Sequence, residues 1–201
     1  MRRKILDKLD KPIIDHYIRF WKKPDSIYSS GLRQDLPPGP ISVAEFSPSS
    51  QDQDWTYATI GASRHPMPYP TNWKAEKPER RVELFIYSNK KNEDLSELLI
   101  KLAKYPFYNK TFLDRTHTIP GESGIVKGSS MTDILLLRPY FEQEEFEIIH
   151  LNEFHHVRML WIIPIYRSER KFIQKHKIDV FEELLHQTEP NTSDFLRPPI
   201  I

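Results

Sequence analysis

The hydrophobic pattern of the chain is clearest between residues 157 and 187. Met159–Ile163 is apolar at every position, which favours a strand buried on both faces of a sheet. Pro164 follows and is expected to end this strand, because proline cannot donate a hydrogen bond to a strand ladder. Beyond Ser168 the apolar residues recur at helical spacing, at Phe172, Ile173, Ile178, Phe181, Leu184 and Leu185. The pattern predicts a buried strand followed by helices.

Two further helices are predicted nearer the N-terminus. Asp10 can cap a helix with Pro12 in its first turn and with Ile13, Ile14, Tyr17, Ile18 and Trp21 on one face. Asn92 can cap a second helix in which Leu95, Leu98, Leu99, Leu102 and Ala103 face the core. We expect Pro24 to end the first helix and Pro106 to end the second.

Strands are indicated by short apolar or alternating runs bounded by turn residues. These runs are Ile41–Phe46, Trp55–Ile60, Arg81–Tyr87, Asp133–Leu137, Phe146–Leu151 and Val157–Ile163. The first two read as a hairpin. His65–Pro70 holds three prolines and is expected to form a loop or an edge. Phe107–Ser130 is a long, turn-rich loop, and long ordered loops often carry function.

The length of 201 residues predicts a single domain over residues 1–201, with residues 1–9 and 189–201 as terminal arms, ordered or frayed. Its 29 Lys and Arg nearly balance its 28 Asp and Glu. We therefore expect no binding to nucleic acid or to a membrane surface. The basic residues between Arg2 and Lys23 are interrupted by acidic ones, without the aromatic pattern of a nucleic-acid site.

The absence of cysteine favours a reducing cytoplasm. Charged residues from Asp7 to Lys11 interrupt the apolar region that a signal peptide would need. No apolar run approaches the roughly 18 to 20 residues that span a bilayer. The expected location is cytoplasmic.

The motifs of common enzymes are missing. Gly121-Glu-Ser-Gly124 lacks one residue of a nucleophile elbow, and no glycine-rich phosphate loop occurs. His150, His155 and His156 are read as ordinary histidines rather than metal ligands, because adjacent residues in an extended chain point to opposite sides. His117 could be a general base, a partner contact, or a residue that ties its loop down, and the last role is favoured. We expect no catalytic, metal or cofactor site.

Charged and aromatic residues remain as candidates for binding. The glutamates Glu142, Glu144, Glu145 and Glu147 form either a solvated turn or a surface for a basic partner. The four tryptophans are read as core or edge residues rather than as a ligand cage. For Trp73, which lies in a polar loop with Tyr69 nearby, an exposed position is the alternative.

Five segments, in this order, resemble the suppressor of fused family. They are Thr59–Met67, Arg81–Tyr87, His117–Gly121, Leu135–Pro139 and Ile162–Tyr166. Glu169, Phe172 and the pair Leu184–Leu185 add to the resemblance, as do Asp194 and Arg197-Pro198 in the tail. The similarity extends over about residues 16 to 199. One departure is Lys177, where bacterial members commonly have glycine, which leaves the angle between the last two helical segments open.

The resemblance implies an α/β (α+β-like) domain with a central mixed sheet flanked by helices, no cofactor, and function through protein binding. The animal family member grips a peptide strand between two lobes, and this chain resembles the N-terminal lobe. Tyr105, Thr116 and His117 would lie on the peptide-facing side of that lobe. Short bacterial members resemble immunity proteins, which neutralise a cognate toxin.

The leading hypothesis is therefore a non-enzymatic, cytoplasmic immunity protein whose partner is a protein toxin. A regulatory module that holds a peptide of a host protein or transcription factor at a sheet edge is the alternative. A hydrolase with a site near His117 is a third hypothesis. Candidate partner contacts form a set of eight residues, His65, Tyr69, Tyr105, Thr116, His117, Glu142, Glu144 and Glu145.

Overall fold

The computed structural model describes residues 10–29, 37–49, 53–68, 81–153 and 155–201. The helices in these ranges are α1 (Asp10–Phe20), α2 (Asp94–Tyr108), α3 (Arg167–His176) and α4 (Ile178–Thr188). The strands are β1 (Ser26–Ser29), β2 (Ser42–Phe46), β3 (Trp55–Ile60), β4 (Val82–Ser88), β5 (Thr118–Ile119), β6 (Asp133–Leu137), β7 (Ile148–His150) and β8 (His156–Ile165). Short 3₁₀ turns occupy Ala62–Arg64 and Glu144–Phe146.

The strands form one mixed sheet in the order β1-β2-β3-β4-β8-β6-β5. The β4–β8 pairing is parallel and the others along this path are antiparallel. The short strand β7 pairs with β8 next to β6. The long apolar strand β8 thus lies at the centre of the sheet, which explains why its sequence is apolar on both faces.

Helices cover both faces of the sheet. Leu84 and Leu160 point into a core that is closed by α2, through residues such as Leu95 and Leu99. Their neighbours Phe85 and Trp161 point into a second core on the opposite face. The second core contains Ile13 and Tyr17 of α1, Ile173 of α3 and Phe181 of α4. The predicted central mixed sheet flanked by helices is confirmed.

Several predicted elements agree with the structure. β3 and β6 have the predicted bounds, and β2 and β3 form the predicted antiparallel hairpin. In the proline-rich loop, Met67 is 2% exposed and its sulfur accepts the Leu113 N–H at 3.3 Å. This methionine therefore belongs to the core rather than to a surface.

The prediction that Pro164 ends its strand is wrong. β8 continues to Ile165, and Pro164 pairs with Ile134 of β6. The carbonyl of Pro164 accepts the Arg197 Nη2 at 3.5 Å, on the side away from β6. Because the nitrogen and carbonyl of one strand residue point to the same side, the missing N–H also points away from β6. The pairing with β4 stops at Trp161, so the proline removes no bond of the ladder.

The prediction that Pro106 ends α2 is also wrong. The helix runs on to Tyr108, and the Thr111 N–H then donates to the Pro106 carbonyl at 2.9 Å. A proline in the last turn loses only one helical N–H bond. At the start of the same helix, Asn92 Oδ1 accepts the Asp94 N–H at 3.0 Å, so Asn92 supplies the predicted capping oxygen.

The C-terminal segment from Glu189 to Ile201 lies against the body of the domain. Phe195 is 2% exposed and belongs to the core closed by α2. The Asn89 N–H, just after β4, donates to the Ser193 carbonyl at 3.0 Å. No helix among the described residues has the length and apolar character needed to cross a membrane.

Candidate functional site

The two-residue strand β5 forms one end of the sheet. Thr118 and Ile119 pair with Leu135 and Ile134 of β6. On its other side β5 meets no strand within the described part of the chain. Two of the candidate residues, Thr116 and His117, come directly before it. The sheet therefore presents an edge directly after Thr116 and His117.

A bulge fixes the start of this edge. The Thr116 N–H donates to the Leu136 carbonyl at 2.7 Å, and the Leu136 N–H donates to the His117 carbonyl at 2.9 Å. Thr116 and His117 therefore both lie opposite the single residue Leu136, which defines a β-bulge. Thr116 has φ 67°, the left-handed conformation that is typical of the first residue of such a bulge. The His117 N–H also closes a turn onto the Asp114 carbonyl at 3.3 Å, with Thr116 at its third position.

The backbone of His117, rather than its imidazole, makes the bonds that fasten this loop. The imidazole packs edge-on against the Phe112 ring, with 5.0 Å between ring centroids. Histidine is half-buried here and is held as an aromatic residue. The sequence favoured a histidine that ties the loop down by hydrogen bonds, whereas in the structure the backbone of His117 makes these bonds and its imidazole makes a ring contact.

Thr118 directs its backbone polar groups away from β6. In an antiparallel ladder, hydrogen-bonded and non-hydrogen-bonded pairs alternate. Since His117 bonds to Leu136, the next pair, Thr118 with Leu135, is a non-hydrogen-bonded one. The N–H and carbonyl of Thr118 therefore point outward, where an added strand could bond to them.

A groove of about 440 Å³ adjoins this edge, and we call it the β5 groove. Leu98, Leu102 and Tyr105 of α2 form one wall, and Ile119 with the segment from Pro120 to Lys127 forms the other. Tyr105 is half-buried and packs on the core closed by α2. Tyr105 thus lines the groove beside β5, and Thr116 and His117 lie at the start of β5.

A charged cluster around Asp133 holds Gly121, one of the residues that line the β5 groove. Asp133 is fully buried and accepts hydrogen bonds from Arg170 Nε at 2.5 Å and from the Gly121 N–H at 3.2 Å. Arg167 also contacts Asp133, and it donates to the Gly121 carbonyl. Burial alone would raise the pKa of Asp133, but the bonds from Arg170, Gly121 and Thr132 outweigh it and hold the pKa below its ordinary value.

The acidic residues divide into two groups. Glu142 Oε1 accepts the Trp21 Nε1–H at 2.7 Å and the Tyr87 hydroxyl, so this carboxylate joins α1, β4 and the 3₁₀ region. Glu144 and Glu145 are exposed and line a separate polar groove with His16, Arg19 and Arg115. Arg115 is the neighbour of Thr116, so this polar groove begins on the far side of the bulge.

The remaining candidates lie elsewhere. His65 is exposed at the end of the Ala62–Arg64 turn and lines neither groove, and Tyr69 lies outside the described residues. His150 and His156 have ring centroids 6.4 Å apart, while His155 contacts Asn152. Within the described ranges, no group of three or more His, Cys, Asp or Glu side chains could hold a metal ion.

A family model places the chain among known proteins. The model of the suppressor of fused protein matches residues 37–198, most of the sequence. The chain belongs to the suppressor of fused family. None of the curated proteins compared with the chain matches its sequence.

Three solved structures share the suppressor of fused fold with this chain. A suppressor of fused homologue from Neisseria gonorrhoeae is 21% identical with a TM-score of 0.77, covering 96% of this chain and 97% of its own. A chain of the Sufu–Fu complex is 15% identical with a TM-score of 0.69, covering 96% and 92%. Suppressor of Fused from Drosophila is 15% identical with a TM-score of 0.65, covering 94% of this chain but 50% of its own.

Membership in the suppressor of fused family places the chain in a fold that mediates protein–protein binding. The family is one of protein-binding, non-enzymatic proteins. Its fold binds a protein partner in the Sufu–Fu complex.

Two segments that carry the resemblance to the suppressor of fused family meet at a buried carboxylate. Glu83 of β4 is fully buried and accepts hydrogen bonds from Thr59 and Ser63 hydroxyls and from the Gly61, Ala62 and Ser63 N–H groups, at 2.5 to 3.3 Å. Burial raises the pKa of Glu83, and these bonds oppose the rise. The sequence motifs Thr59–Met67 and Arg81–Tyr87 are therefore structural, and sequence reasoning missed this contact.

Proposed function

We propose that this member of the suppressor of fused family is a non-enzymatic, cytoplasmic immunity protein that binds and neutralises a protein toxin. The outward-facing backbone of Thr118 at the end of the sheet carries the proposal. An extended segment of the toxin would add a strand at β5 and place side chains in the β5 groove. The toxin is then held in a conformation or position that stops its activity.

The chain covers nearly all of the Neisseria homologue and half of the Drosophila protein. Binding at the β5 edge and in the β5 groove uses only residues of this chain.

The affinity that an immunity protein needs is greater than the backbone hydrogen bonds of one added strand can supply. Nanomolar binding corresponds to about 12 kcal/mol. The edge offers the two backbone groups of Thr118, so side chains must supply most of this free energy. We assign this contribution to Tyr105, which lines the β5 groove, and to the exposed Glu144 and Glu145, which line the polar groove.

The test is co-expression with a toxin gene found next to the gene for this chain. We expect the chain to relieve the lethality of that toxin and to co-purify with it. A toxin that stays lethal and does not co-purify, while the chain is folded and abundant, would rule out the immunity role.

A pair of variants at one position tests the binding mode. Thr118→Pro removes the outward N–H, whereas Thr118→Val keeps it and has a similar size. Only the proline variant should lose protection and co-purification. Both proteins should keep the same circular dichroism spectrum, since the outward N–H takes no part in the β5–β6 ladder. Equal protection by both variants would place the partner elsewhere.

The regulatory alternative uses the same edge and differs in the partner. In the Sufu–Fu complex a protein of this fold binds Fu. This complex supports the alternative, because its partner is not described as a toxin. If the alternative holds, Thr118→Pro should disrupt a complex with a host protein, and deletion of neighbouring toxin genes should leave that complex intact.

A further inference from the structure

A third groove lies on the opposite face of the sheet from the β5 groove, and we call it the α4 groove. Its volume is about 680 Å³. Leu137, Trp161 and Ile163 form its floor, and these strand residues belong to the core packed by α1, α3 and α4. Tyr140 and Phe141 form one wall and Leu185 of α4 lies on the other. The apolar character of the groove suits an apolar side chain.

The wall of the α4 groove exposes an unusual amount of aromatic surface. Phe141 is 75% exposed although its ring contacts the Trp161 ring, with 5.2 Å between centroids. Tyr140 is 45% exposed. Large exposed aromatic side chains beside an apolar groove are typical of sites that bind another molecule.

The carboxylates that line the α4 groove are not accompanied by any lysine or arginine in its lining. Residues 178–196 contain five acidic residues and neither lysine nor arginine; the acidic ones are Asp179, Glu182, Glu183, Glu189 and Asp194. Glu182 and Glu189 line the groove itself. The last turn of α4 also ends here, and the C-terminal end of a helix carries partial negative charge that favours cations.

Local contacts already show the effect of this negative charge. The Tyr140 hydroxyl donates to Glu182 Oε1 at 2.8 Å. Burial, followed by the hydrogen bond and the charge of Glu182, raises the pKa of Tyr140 above its ordinary value. The guanidinium of Arg138 lies over the Tyr140 ring at 4.5 Å, so this wall already attracts one cation.

We infer that the α4 groove docks a segment of a partner protein in which one large apolar side chain is flanked by lysine or arginine. The apolar side chain packs between Phe141 and Leu185 against Trp161. The flanking cations lie near Glu182, Glu189 and the end of α4. This surface is distinct from the β5 edge, and a partner could occupy either without the other.

Three labelled peptides test the inferred chemistry by fluorescence anisotropy. The first is Lys-Arg-Phe-Leu-Arg-Lys, the second has glutamate in place of the four basic residues, and the third has alanine in place of Phe and Leu. The first should bind at least about tenfold more tightly than either control, since it alone matches both charge and apolar anchor. Its affinity should fall as salt screens the charges. Equal binding of the acidic or the alanine peptide would overturn the inference.

Variants locate the site. Phe141→Ala removes an exposed ring and should weaken the binding of the basic peptide by about fivefold or more, as expected for the loss of an aromatic anchor. The double variant Glu182→Gln and Glu189→Gln should weaken the binding of the basic peptide and reduce the salt dependence of that binding. Glu97→Gln in the β5 groove is the matched control and should have no effect, nor should Thr118→Pro.

Backbone amide shifts provide a second measurement. Addition of the basic peptide should move the signals of Leu185, His186 and Thr192 and leave those of Thr118 and Ile119 in place. Shifts centred on β5, or unchanged binding by Phe141→Ala and by the double glutamine variant, would overturn the inference. The result of the peptide experiments does not depend on the immunity role. Thr118→Pro should abolish toxin neutralisation at the β5 edge and leave peptide binding in the α4 groove unchanged.

Discussion

Arg197 and Glu169 form a buried, two-pronged ion pair that fastens the end of the chain to the start of α3. Arg197 Nη1 lies 2.7 Å from Glu169 Oε1, and Nη2 lies 2.9 Å from Oε2. Arg197 is 4% exposed and Glu169 is not exposed at all. Glu169 also accepts the Tyr166 N–H at 2.8 Å and the Ile200 N–H at 3.0 Å. One carboxylate therefore organises the helix start and the tail together.

Replacing Arg197 by methionine should lower the free energy of unfolding by about 3 to 5 kcal/mol, because it leaves the buried Glu169 charge without its partner. Urea denaturation measures this loss. Lys101→Met is the matched control, since Lys101 pairs with Glu97 at 4.0 Å on the surface and should change stability by less than about 1 kcal/mol. Similar losses in the two variants would contradict the structural role of the pair.

Lys177→Gly should stabilise the protein. Lys177 alone joins α3 to α4 and has φ 72° and ψ 165°, a conformation that is nearly restricted to glycine. Relief of about 1 to 3 kcal/mol of strain outweighs the roughly 0.5 to 1 kcal/mol that glycine loses in backbone entropy. We expect a net gain of about 1 kcal/mol.

The control for this prediction is Lys177→Ala, which removes the long side chain but keeps the Cβ atom. It should bring no gain. Thermal and urea unfolding of the three proteins measure the difference. A gain with alanine equal to that with glycine would show that the side chain, not the backbone conformation, is unfavourable.

The stabilising contribution of Asp133 to the folded state should be lost at acidic pH. Its pKa lies below the value of about 3.9 for an unfolded chain. A carboxyl group with a depressed folded-state pKa contributes stability above the unfolded value and loses it as pH falls through the folded value. Asp133→Asn should therefore cost about 1.5 to 3 kcal/mol at neutral pH, with the difference from wild type shrinking below about pH 4. Denaturant curves across this range measure it, and a difference that stays constant would refute the assignment.

Glu83→Gln should destabilise the domain by about 1 to 3 kcal/mol. Oε1 accepts bonds from Gly61 and Ser63, and Oε2 accepts bonds from Thr59 and Ala62. An amide has one oxygen, so its NH₂ group must face donors in either orientation. Urea unfolding measures the loss, with the exposed Glu97→Gln as a control that should be nearly neutral. Equal stability of the two glutamine variants would be inconsistent with the buried network.

The strands that were predicted well are those whose apolar runs end at turn residues, such as Trp55–Ile60 and Asp133–Leu137. β1 was not predicted, because Ser26–Ser29 is largely exposed and, among the described strands, pairs only with β2. Pro164 was misread since the side to which its nitrogen points depends on which strands lie beside it. The residues around Pro164 do not indicate which strands lie beside it.

The candidate site was predictable through the family resemblance rather than through pattern. A strand of two residues, Thr118–Ile119, leaves no periodic signal, and the bulge at Thr116 depends on Leu136. Glu83 is similar, because its donors at Gly61–Ser63 lie about twenty positions away in the chain. The sequence does show an alternating strand there, but not the reason for an acid on a buried face.

The central position of β8 has a consequence for how the protein is made. β4 pairs with Arg158–Trp161 in parallel, across more than seventy residues of chain, and β6 and β7 pair with the other edge of the same strand. The middle of the sheet therefore cannot close on the ribosome until β8 has emerged, and closing such distant contacts is slow. During that interval the apolar surfaces of the β2–β3 hairpin and of α2 lack their β8 partner, so exposure of these surfaces to solvent is prolonged.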